Sequence, residues 1–167
     1  MQFSVVQQIA APADAVAAAY ANPDFYATLV GLPNLGPPEV LSHDVDGDAV
    51  ELRIRYRYIA ELSSVVRAVV DPKKLSWVEV STHRVAERTV TFRMEPDNYA
   101  DRFKSSGSYR FDATSDGAGT VRRSTGELSI RARLVGGRVE QAIVTGLKEH
   151  LASEVPLVER WVAEHSG

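Results

Sequence analysis

Cysteine is absent from all 167 residues, which excludes disulfides, a thiolate nucleophile and any cysteine metal ligand. The four histidines, His43, His83, His150 and His165, show no metal-ligand spacing. No apolar run reaches the roughly 20 residues that cross a bilayer, and Met1–Ala10 lacks the basic and apolar regions of a signal peptide. A phosphate loop, a dinucleotide fingerprint and a G-x-S-x-G elbow are also missing. Phe103–Gly107 is hydrophilic turn and strand. The formal charge of -3 gives no general pull toward nucleic acid or anionic lipid. The expectation is a chain without metal or cofactor, without a nucleic-acid partner and without stable membrane insertion.

What remains is ordinary globular material. Hydrophobic residues make up 44% and charged residues 25%, and the length suits one domain over 1–167 with a sizeable core. A soluble cytoplasmic protein is expected.

Phe3 and Val5, with Gln7, alternate against Ser4, Val6 and Gln8 as an opening strand ending near Ile9. Ala11-Pro12-Ala13-Asp14 starts a short helix that runs to Tyr20 and stops at Asn22-Pro23. Asp24–Val30 reads as a second helix closed by Gly31, and Leu32–Pro38 as loop. From Glu39 the period becomes two. Val40-Leu41 opens a strand, Asp46-Gly47 marks a hairpin, and Val50–Ile59 turns Leu52, Ile54, Tyr56 and Tyr58 one way and Glu51, Arg53, Arg55 and Arg57 the other.

Glu61–Val70 fits a short helix or a strand with a flap. In the strand Leu75–His83, either Trp77 and Glu79 or Val78 and Val80 point inward. Arg88–Glu95 sends Val90, Phe92 and Met94 inward, and Phe103–Ala113 sends Tyr109 and Phe111. Val121–Leu134 is the last strand. A bulge near Gly126 is expected, with Leu128, Ile130 and Ala132 inward and Thr125, Glu127 or Ser124 adding polar groups.

Arg138–Glu164 then carries an unbroken helical pattern. Val139, Ile143, Gly146, Leu147, Leu157, Val158 and Trp161 share one stripe, and His150 and Glu154 lie within it, one turn apart. Histidine before glutamate is the less favourable order for helix support, and a solid core has no use for ionisable groups. A helix covering a ligand cavity does. Pro156 removes the N–H that would bond the Ala152 carbonyl, but Ala152 lies opposite the stripe, where water can serve it.

Strand, two short helices, antiparallel meander and long helix make a two-layer α+β arrangement. With Ala11-Pro12-Ala13-Asp14-Ala15-Val16 after the first strand and Leu134-Val135-Gly136-Gly137-Arg138-Val139-Glu140 before the last helix, the whole chain resembles the START-like superfamily. That group has the helix-grip fold of the birch-pollen allergen and the polyketide cyclase/dehydratase-like proteins. The diglycine segment is most similar to a bacterial domain-of-unknown-function family, number 2505, although Arg133 stands where that family often has proline. The resemblance implies a curved antiparallel sheet wrapped around the long helix, with a small hydrophobic ligand between them.

Tyr56, Tyr58, Phe92, Met94, Tyr109, Phe111, Ile143, Leu147 and Trp161 are the candidate cavity lining, with His150 and Glu154 as its polar spot. Either they orient a lipid, polyketide or terpenoid-like molecule in a carrier or sensor, or His150 is the general acid or base of a cofactor-free cyclase/dehydratase-like enzyme, tuned by Glu154. A structural ion pair is the plain alternative for the two. Arg53, Arg55 and Arg57, with Arg67, Lys73 and Lys74 near in sequence, raise a third reading, a protein-interaction face. Nucleic-acid stacking needs aromatics on that same face, and Tyr56 and Tyr58 point away from it. A solvated stripe neutralised by Glu51, Glu79 and Asp112 is expected instead.

Overall fold

Seven strands form one antiparallel sheet in the order β1-β7-β6-β5-β4-β3-β2. The computed structural model describes residues 1–133 and 135–166. The strands are β1 (Gln2–Ile9), β2 (Glu39–Asp46), β3 (Ala49–Arg57), β4 (Ser76–Arg84), β5 (Thr89–Pro96), β6 (Phe103–Ala113) and β7 (Thr120–Ile130). Helices α1 (Ala13–Tyr20) and α2 (Pro23–Tyr26) follow β1, and α3 (Ser64–Arg67) follows β3. The long helix α4 (Gly136–His165) packs against β1, β7 and α1. This is the helix-grip arrangement. Among the described residues no helix is long and apolar enough to cross a membrane.

Local chemistry sets the boundaries. Pro12 takes the extended N-cap position of α1, and the Asn22 side chain accepts from the Asp24 N–H at 3.0 Å to open α2. That second helix ends at Tyr26 rather than Val30. The Glu61–Val70 stretch is helical over Ser64–Arg67, capped by Ser63. Pro156 lies inside α4, and both it and Ala152 are exposed, so the freed carbonyl meets water.

Cross-strand register resolves the phase of β4. Trp77 faces Tyr56, Glu79 faces Ile54, Ser81 faces Leu52 and His83 faces Val50, so these four β4 residues point inward. Val78 and Val80 are buried as well, on the outer face, where their neighbours are Arg55, Arg53 and Arg93. The arginine stems cover apolar side chains while their heads reach solvent. Both phases are therefore buried, which is why alternation alone did not choose between them.

The expected bulge near Gly126 is absent. Pairing of β7 with β6 and with β1 runs without interruption, and the slip lies in β2 between Val40 and Ser42. Gly126 serves ring packing instead: a Cβ there would meet Phe3 Cζ at 2.6 Å and the Ser106 carbonyl at 2.7 Å. Uninterrupted phase turns Thr120, Arg122, Ser124 and Leu128 inward together. The strand ends at Ile130. Leu134, where it was expected to end, lies outside the described residues.

Candidate functional site

The interior has two unlike ends. Where α1 and α2 meet the C-terminal half of α4, it is filled. Tyr20 stacks on Phe111 with ring centroids 5.4 Å apart, Phe25 meets the edge of Trp161 at 5.8 Å, and Val158 is fully buried among them. At the other end, the N-terminal half of α4, the ends of β5, β6 and β7 and the segment 61–75 surround a cavity of about 300 Å³. Its walls include Val66, Val70, Phe103, Leu128 and Leu147.

Of the expected lining, Tyr58, Met94, Ile143, Leu147 and His150 reach this cavity. Tyr56, Phe92, Tyr109 and Phe111 do not, because they pack against one another, Trp77 and the α1–α2 residues. Trp161 also lies away from it, 3.7 Å from the His165 ring and against Phe25. Glu154 sits one helical turn beyond the lining. The stripe on α4 is rotated slightly from the expected one: Val144, Leu151 and Val162 are buried, whereas Ile143 is 37% exposed.

His150 joins the two ends. Its Nε2 lies 2.9 Å from Glu154 Oε1, and the other carboxylate oxygen accepts from Tyr20 at 3.0 Å and from Arg122 Nη1 at 3.2 Å. Arg122 also donates to the Tyr20 hydroxyl at 3.0 Å, and its guanidinium lies 4.6 Å from the Tyr20 ring centroid and 4.3 Å from that of Tyr109. Burial works to raise the Glu154 carboxyl. The hydrogen bond from His150, the Arg122 charge and the Tyr20 hydroxyl outweigh it and hold the group below the ordinary carboxylate value. Glu154 is thus ionised. A carboxylate accepts, so when the imidazole is neutral its proton resides on Nε2, leaving Nδ1 a bare lone pair. That Nδ1 is buried without a partner among the described residues.

Two further ionisable groups face inward on β4. Burial, followed by the Glu154 charge, pushes the Glu79 carboxyl up to about 7, against the opposing pull of Arg122 and His150. Burial and the Arg122 charge bring His83 down to about 4. His83 Nε2 lies 2.9 Å from Ser81 Oγ, and its Nδ1 has no partner among the described residues. Burial also raises the Tyr20, Tyr56 and Tyr109 hydroxyls, which therefore stay protonated.

Sequence reasoning missed Tyr20, His83 and Arg122; it left the inward phase of Glu79 open while also counting Glu79 among the acids of the outer stripe, and the structure turns it inward. Arg53 and Arg55 of the outer stripe pair with acids other than the expected ones. Arg53 reaches Glu95 at 2.6 Å, Arg55 reaches Asp97 at 3.1 Å, and Asp112 pairs with Arg110 and Arg123. The solvated-stripe expectation holds with different partners.

Residues 4–162 match the family described as protein of unknown function DUF2505. The chain belongs to the DUF2505 family. The family and fold that the diglycine segment and the element order implied are both shown. Several solved structures share the fold of this DUF2505 chain. TTHA0849 from Thermus thermophilus is 17% identical, with both chains covered in full and a TM-score of 0.70. The Zhui aromatase/cyclase from Streptomyces sp. R1128 is 17% identical, with 100% of this chain and 96% of that one covered and a TM-score of 0.68. Norcoclaurine synthase from Thalictrum flavum is 19% identical, with 99% and 87% covered and a TM-score of 0.64. At these identities the likeness extends to fold alone. No curated protein matches the chain.

Proposed function

We propose that this DUF2505 chain binds a small, largely apolar molecule in the cavity beside the N-terminal half of α4, as a carrier or sensor. One observation carries the reading: an apolar-walled cavity of about 300 Å³ touches a buried imidazole whose Nδ1 has no partner among the described residues. Burying apolar ligand surface contributes roughly 25 cal/mol per Å², and the imidazole fixes orientation. Gentle extraction followed by mass spectrometry of the intact protein tests it. A stoichiometric hydrophobic adduct is expected. No adduct, together with a melting temperature that no apolar compound shifts, overturns the reading.

A second reading has its own support. The chain from Arg122 and Tyr20 through Glu154 to His150 orients an imidazole as general-base sites do. With Nε2 committed to Glu154, Nδ1 is free to take a proton alpha to a substrate carbonyl and return it to the resulting enolate, so no cofactor is consumed. The shared fold with an aromatase/cyclase and a synthase makes such chemistry reasonable. His150→Ala separates the two. Unchanged affinity with lost conversion points to catalysis, and weakened binding with no conversion in either form points to carriage.

A further inference from the structure

The polar atoms around His150 specify more than apolarity. Resting on the binding reading above, we propose that the cavity selects a ligand whose buried end is a hydroxyl and rejects one whose buried end is a carboxylate.

Two lining side chains carry buried polar atoms without a partner among the described residues, and the two are complementary. In the neutral imidazole, His150 Nδ1 is a lone pair and accepts; Trp77 Nε1 is an N–H and donates. Both residues line the cavity and both flank one ring. The Tyr56 centroid lies 6.0 Å from that of Trp77 and 6.4 Å from that of His150. A hydroxyl both donates and accepts, so it complements either atom. An unmet buried polar atom is costly, so a ligand hydroxyl that meets one gains selectivity over its plain hydrocarbon.

The charges around this end disfavour an anion. Glu154 is ionised one turn beyond His150, and Glu79, pushed up to about 7, adds a second negative charge above that pH, directly across from the lining residue Met94. The nearby cation Arg122 does not line the cavity: Nη1 serves Glu154 and Tyr20, and its face is covered by two tyrosine rings, although its Nε has no partner among the described residues. With the imidazole neutral, a carboxylate at this buried end would face the Glu154 charge and meet no buried cation of the lining among the described residues. Exposed cations do stand among the outer lining residues, namely Lys74, Arg102 and Arg131. They define the competing arrangement, an acidic head outside and an apolar tail within.

Naphthalene, 2-naphthol and 2-naphthoate share one ring system and separate the possibilities in titrations at about pH 8, where the naphthol hydroxyl keeps its proton and the naphthoate is charged. The naphthol is expected to bind about tenfold tighter than naphthalene, and the naphthoate weaker than naphthalene. Trp77→Phe and His150→Phe should each bring naphthol toward parity with naphthalene. The wild-type protein supplies an independent signature: the His150 Nδ1 nitrogen-15 resonance should move upfield when naphthol saturates the site. Naphthalene binding without any naphthol advantage overturns this inference while sparing the binding reading. Tightest binding by naphthoate also overturns it and assigns selectivity to the outer cations. If none of the three binds, both fall.

Discussion

Arg122 Nη1 lies 3.2 Å from Glu154 Oε2, and each side chain is only 6% exposed. A buried pair of this kind adds little beyond what a well-packed apolar pair would, yet removing one partner strands the other. Arg122→Met and Glu154→Leu should each destabilise the protein by about 3–5 kcal/mol. The double variant should lose clearly less than the sum. Urea melts of the three variants measure the coupling, and strict additivity would contradict the pairing.

The two inward ionisable groups of β4 pull stability in opposite directions with pH. Glu79 titrates near 7 in the folded protein against an ordinary 4.5, so between those values the unfolded chain releases a proton that the folded one keeps. Stability therefore falls as pH rises through that window. His83 titrates near 4 against an ordinary 6.5, so there the unfolded chain binds a proton that the folded one refuses, and stability rises with pH. Glu79→Gln should gain on wild type as pH climbs from about 5 to 8, by about 1–3 kcal/mol. His83→Phe should gain on wild type as pH falls from about 7 to 4. Stability profiles parallel to wild type would remove both groups from the interior.

Leu147 lies on the cavity wall and is only partly buried, so a larger side chain there has space to enter. Leu147→Trp should abolish uptake of any cavity ligand while changing stability by less than about 1.5 kcal/mol. Ligand-induced thermal shift, read beside the unliganded melting temperature, checks both halves.

Gly107 and Gly126 face one another across β6 and β7, and the rings of Phe92 and Phe3 pack onto them. A Cβ at Gly107 would collide with the Thr125 carbonyl, which is backbone and cannot step aside. Gly107→Ala and Gly126→Ala should each cost about 1–3 kcal/mol, the first more. Gly137→Ala, with nothing within 4 Å of the new methyl, should be neutral or gain up to about 1 kcal/mol from helix propensity. Melting temperatures in that order are the expected result.

Much of this was legible in one dimension. The α4 stripe announced His150 and Glu154 because two ionisable groups interrupted an otherwise apolar face, and both are buried. Arg122 was hidden by the opposite logic. Alternation marks a charged residue as outward, and the bulge expected near Gly126 broke the continuous phase that places Arg122 with Leu128. Its acceptors, Tyr20 and Glu154, come from α1 and α4, and no local pattern links three such distant segments. His83 and Glu79 were ambiguous because arginine stems bury the other face of β4. The cavity's extent was illegible for a related reason. Which aromatics fill and which line depends on how far α1 and α2 reach, a matter of packing geometry.

The position of β1 has a consequence for biosynthesis. It pairs only with β7, so Phe3 has no neighbour across the ladder until Gly126 exists, and Gln7 awaits the Leu151 carbonyl. A nascent chain leaving the ribosome holds its first strand idle while nearly everything else is translated. Pairing of such long reach folds slowly, and any product cut short before Thr120, where β7 begins, carries an unpaired strand whose Phe3, Val5 and Ile9 lack cover, open to aggregation.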